Sequence, residues 1–65
     1  MKKPKIVMTV LKEDSGYSAT ATVKGIHINT ESETLEELMG NVLEAVNLSF
    51  VDRGFTYTAD EIGMK

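Results

Sequence analysis

The spacing of apolar positions along this chain changes once, at Thr34. Before that point side chains alternate with a period of two; after it apolar residues recur every three or four positions. The first period is that of strands and the second that of a helix.

Residues 5–12, Lys-Ile-Val-Met-Thr-Val-Leu-Lys, are rich in β-branched side chains and lie between Pro4 and the turn residues Glu13-Asp14-Ser15-Gly16. They predict a first strand. Ile6, Met8 and Val10 share one face; Val7, Thr9 and Leu11 share the other. Both faces are largely apolar, so this strand is expected to be central or covered on both sides. Residues 16–24 alternate more cleanly, with Tyr17, Ala19, Ala21 and Val23 opposite Ser18, Thr20, Thr22 and Lys24. One face is therefore buried, and its small alanines leave room for a helix above them. Lys24-Gly25 is a two-residue loop whose backbone needs positive φ, which Gly25 supplies more comfortably than Lys24. Ile26 to Thr30 predict a third, shorter strand with Ile26 and Ile28 inward.

Thr34 and Glu37 have the spacing of a reciprocal helix cap. Glu36 and Glu37 also oppose the positive end of the helix dipole, each contributing about 0.3–1 kcal/mol. Leu35, Leu38, Met39, Val42, Leu43, Val46 and Phe50 form one apolar stripe. Leu48 and Val51 lie off it and suggest a second contact surface. Gly40 costs about 1 kcal/mol relative to alanine; it either admits the close approach of a strand or partner or serves no purpose. The helix is expected to stop near Asp52-Arg53, with Gly54 as its left-handed terminating residue. Phe55 to Thr58 then read as a return strand, with Phe55 and Tyr57 on one side. Residues 59–65 read as a frayed tail, with Ile62 able to extend the strand. The expected fold is α+β, a single two-layer β-β-β-α-β domain over residues 1–65, in which an antiparallel meander carries one helix on one face.

Sixty-five residues bury only about 60% of the unfolded surface, so support from a partner or a second copy is expected. The chain has no cysteine and one histidine, which excludes disulfides, thiolate metal sites and imidazole clusters. No apolar run is long enough to span a membrane, and no signal sequence follows the basic start Met-Lys-Lys-Pro-Lys. The expected location is the cytoplasm, with Lys2, Lys3 and Lys5 as a solvated tail. The net charge is −3 and the isoelectric point about 4.9, which argues against autonomous nucleic-acid binding. The charge is unevenly spread: Glu13, Asp14, Glu31, Glu33, Glu36 and Glu37 face only Lys24 between positions 13 and 37. Such a surface draws a basic partner. His27 is the sole candidate general base, but no nucleophile or orienting group is placed beside it by the pattern, so an enzyme is not expected. Glu13-Asp14 lack the further oxygen ligands of a calcium loop, and neither metal nor cofactor is expected.

The segments Asp14-Ser15-Gly16-Tyr17, Gly25-Ile26, Glu33-Thr34-Leu35-Glu36-Glu37-Leu38 and Asn41-Val42-Leu43-Glu44-Ala45-Val46 together resemble the N-terminal domain of the HicB-like antitoxin family, over about residues 5–50. The chain departs from that family in having no Pro-x-Leu-Pro-Gly segment at its second turn, where it reads Ala21-Thr22-Val23-Lys24-Gly25. It also leaves no room for a C-terminal helix-turn-helix or ribbon-helix-helix, so operator binding is not expected. The resemblance implies a partial ribonuclease-H-like fold without catalytic carboxylates, which neutralises a small basic RNA-cleaving toxin by direct contact. Asp14, Tyr17, Glu31 and Glu33 are the candidate partner-binding residues; Thr34, Glu37, Gly25 and Gly54 are candidates for structural roles. The alternative is a small dimeric scaffold or regulatory subunit with no toxin partner. A homodimer is expected in either case, through an edge strand or the outer face of the sheet.

Overall fold

The computed structural model describes residues 3–65, so the expectation for Lys2 lies outside the described residues. Strands β1 (Ile6–Glu13), β2 (Gly16–Val23) and β3 (Ile26–Ser32) precede helix α1 (Leu35–Phe50), and β4 (Ile62–Met64) closes the chain. The sheet order is β3-β2-β1-β4. The β-β-β-α-β order and the helix over one face of the sheet are as the pattern predicts.

Three features differ, each for a physical reason. The last strand is parallel to β1, with Ile6 opposite Ile62 and Met8 opposite Met64, so the sheet is mixed. Strands β1, β2 and β3 run up, down and up; α1 carries the chain back down, and β4 must therefore rise beside β1. The strand also begins later than expected. Residues 55–58 are not a strand because the Asn47 side chain occupies the backbone of Tyr57. The Tyr57 N–H donates to Asn47 Oδ1 at 2.6 Å, and Asn47 Nδ2 donates to the Tyr57 carbonyl at 3.1 Å. With both groups taken, no ladder forms there. Residues 59–65 are not a frayed tail. A short turn at Ala59–Glu61 starts from a reciprocal cap between Thr58 and Glu61, and β4 follows it directly.

The first strand is central, but only one of its faces is covered. Ile6 and Met8 are fully buried, whereas Val7 is 38% and Leu11 57% exposed. The helix lies on one side of the sheet, and nothing among the described residues covers the other. The buried helix residues are Leu38, Val42, Val46 and Phe50, a single line at intervals of four. Leu35 and Met39, expected in the stripe, are exposed, as are Leu48 and Val51. Gly40 faces open space, so no strand or partner segment within the chain approaches it.

The helix ends where the local chemistry predicts, and its start carries one of the two predicted cap bonds. Thr34 Oγ1 accepts from the Glu37 N–H at 3.2 Å, one half of the reciprocal cap. At the other end a short 3-10 turn, Val51–Arg53, leads to Gly54 at φ 79°. The Phe55 N–H donates to the Phe50 carbonyl, and the Gly54 N–H to that of Val51. These two bonds, with Phe55 packed edge-on against Phe50 at 6.3 Å, form a Schellman termination. Lys24 and Gly25 both take positive φ, 53° and 80°, as the two-residue loop requires.

Tyr57 joins the chain ends. Its ring lies 5.7 Å from that of Phe50, and its hydroxyl donates to the Pro4 carbonyl at 2.6 Å. Burial pushes the Tyr57 phenol up from its ordinary value; nearby Lys3 opposes this and Glu61 adds to it. Lys3 is not a loose tail residue. Its ammonium reaches Glu61 at 2.7 Å and the Thr56 carbonyl at 2.7 Å, 4.8 Å from the centre of the Tyr57 ring.

Candidate binding groove

The β1–β2 turn and the β3–α1 junction meet at one end of the sheet. Gly16 makes the approach possible. A Cβ at that position would overlap the Ser32 carbonyl oxygen and crowd Glu33 Cα at 3.2 Å, and Gly16 has φ 153°. Both obstacles are backbone atoms, which cannot rotate aside. Above this contact lies an open groove of about 250 Å³ lined by Glu13, Ser15, Gly16, Tyr17, Glu31, Ser32 and Glu33.

The register explains how these residues converge. Glu13 pairs with Gly16 across the turn, Tyr17 with Ser32, and Ser18 with Glu31. Tyr17 lies half-buried against the core, from which it reaches the groove. Three of the four candidate partner-binding residues line one groove: Tyr17 from the helix side of the sheet, Glu31 from the other side, and Glu33 from the β3–α1 junction. Asp14 is exposed in the adjoining turn and does not line the groove. Glu13 was absent from the partner-binding candidates. Its place at the end of β1, directly opposite Gly16, is the signal that singles it out.

Three carboxylates, two hydroxyl-bearing serines and a phenol ring line the groove, and no lysine or arginine does. Carboxylates accept hydrogen bonds and cannot donate them. The arrangement suits a guanidinium or ammonium group from another molecule. The Ser32 hydroxyl is held from the helix by a hydrogen bond from the Asn41 side-chain amide, which ties the groove floor to α1.

His27 lies on the solvent-facing side of the sheet, the same side as Glu31. Its Nδ1 is 3.2 Å from Thr22 Oγ1, and Thr22 is its cross-strand neighbour. The pair has the spacing of a nucleophile and base, but both residues are exposed on a flat surface and no cleft surrounds them. It reads as a cross-strand hydrogen bond. Among the described residues no group of three His, Cys, Asp or Glu side chains converges as a metal-ligand set. No helix is long and apolar enough to cross a membrane.

No protein-family model, curated protein or solved structure matches this chain.

Proposed function

We propose that this chain is a non-enzymatic, antitoxin-like protein of the cytoplasm that neutralises a small basic RNA-cleaving protein by binding it in the acidic groove. The observation carrying this reading is that Glu13, Glu31 and Glu33 line one groove with Tyr17 and that no basic side chain does. Charge of one sign at a concave surface steers an oppositely charged partner toward it and speeds encounter. Tyr17 then supplies an anchor of the kind that dominates contact energies. The HicB-like resemblance of residues 5–50 supplies the identity of the partner class.

Co-expression with a small basic protein encoded next to this chain tests the proposal. The wild-type chain should co-purify with it and restore growth. Glu13→Lys should weaken binding mainly through slower association, and the deficit should shrink at high salt. No complex and no rescue by the wild-type chain would remove the antitoxin role. The second reading, a dimeric scaffold or regulatory subunit without a toxin, is favoured by the open edge of β3. Absence of any small basic reading frame beside this one would support it.

A further inference from the structure

We infer that the edge of β3 pairs antiparallel with the same strand of a second copy about a two-fold axis at Asn29, joining two four-stranded sheets into one.

The two sheet edges are not alike. Strand β4 has three residues, Ile62–Met64, and is too short to template a new strand. Strand β3 has seven, Ile26–Ser32. It pairs with β2 residue for residue from Val23–Ile26 to Tyr17–Ser32 without a bulge. It contains no proline and no lysine, and its single charge is Glu31. Natural edges are normally protected by such features. An edge without them is open to strand addition.

Charge selects a second copy of this chain as the occupant. Lys24 and His27 lie at the start of β3 and its turn; Glu31 and Glu33 lie at its end. An antiparallel approach of two copies sets the basic end of each on the acidic end of the other, whereas a parallel approach opposes like ends. The register follows from length. Asn29 is the middle residue of Ile26–Ser32, so only a two-fold axis there pairs all seven residues. His27 then faces the partner's Glu31, and Glu31 faces the partner's His27. His27 Nδ1 lies 3.2 Å from Thr22 Oγ1, which leaves Nε2 as the ring nitrogen that meets that carboxylate. Above the sheet, Asn41 of α1 reaches Ser32 of β3. Leu48, 68% exposed, lies two turns further along the same helix flank and adds apolar surface beside the join.

Sedimentation velocity on the full chain, from about 1 to 200 µM with no other protein present, tests this separately from the groove. The expected wild-type result is a reversible dimer. His27→Glu opposes like charges at two symmetric positions, and Glu31→Lys removes both attractive pairs. Each should raise the dimer dissociation constant about tenfold. An equimolar mixture of the two variants should restore dimerisation to within about threefold of wild type, because the introduced carboxylate then faces the introduced ammonium. Both positions are exposed, and far-UV circular dichroism monitors folding. A wild-type chain that stays monomeric throughout, variants with unchanged dissociation constants, or a mixture that gains nothing would each overturn the inference.

Discussion

Asn47→Ala tests why the chain after the helix is not a strand. The substitution removes the partners of both peptide groups of Tyr57, bonds of 2.6 and 3.1 Å. Tyr57 is 4% exposed, so water reaches the freed groups poorly. Each orphaned buried group costs about 1–3 kcal/mol, and the pair should cost about 3 kcal/mol. A domain of 65 residues holds about 3–10 kcal/mol in total, so the loss is a large share of its stability. It corresponds to a fall in Tm of about 12–24 °C. Urea and thermal denaturation followed by far-UV circular dichroism measure it, with Asn41→Ala as the control. Asn41 also donates one side-chain hydrogen bond, but on an exposed surface, and its loss should cost under about 1 kcal/mol. If the two variants agree within about 0.5 kcal/mol, the clamp on Tyr57 is not what holds this segment.

Gly40→Ala should add about 1 kcal/mol and raise Tm by about 4–8 °C, since the new methyl group meets open space; no gain in a thermal melt would refute the helix-propensity argument. The hydrogen bond from Lys3, followed by those from Thr58, holds the Glu61 carboxyl down from 4.5 to about 2. Its contribution is therefore complete above about pH 4.5 and is lost as pH falls toward about 2. Glu61→Gln should lose that part of the acid limb in Tm measured from pH 7 to 2, and superimposable limbs would contradict it. Gly16→Ala should destabilise by about 1–3 kcal/mol and displace the Ser32 and Glu33 amide resonances; unchanged stability would show that the groove floor yields freely.

The parts of the fold written in local chemistry were legible from the residues. The Thr34 cap, the Lys24-Gly25 loop and the Gly54 termination each depend on a few neighbouring residues; the loop and the termination form as their residues predict, and the cap forms in its Thr34 half. What was not legible depends on contacts remote in sequence. Phe55 to Thr58 alternate like a strand, but Asn47, ten residues before Tyr57, takes the backbone groups that a strand would need. Residues 59–65 read as a polar tail in which only Ile62 could join a strand; Ile62 does so, and Met64 joins it because β1 offers both a partner. The apolar outer side of β1, Val7 and Leu11, promised a second cover that the helix does not supply. The groove was half legible. Tyr17, Glu31 and Glu33 stood out by charge and type, but Glu13 joins them only through its register with Gly16.

Backbone amide shift mapping during titration of the nitrogen-15-labelled chain with the small basic protein encoded beside it tests the proposed binding most directly. The largest shifts should fall on Glu13, Gly16, Tyr17, Ser32 and Glu33 and should be lost in Glu13→Lys. Shifts confined to α1 and β4, or equal shifts in the variant, would contradict the groove as the site of capture.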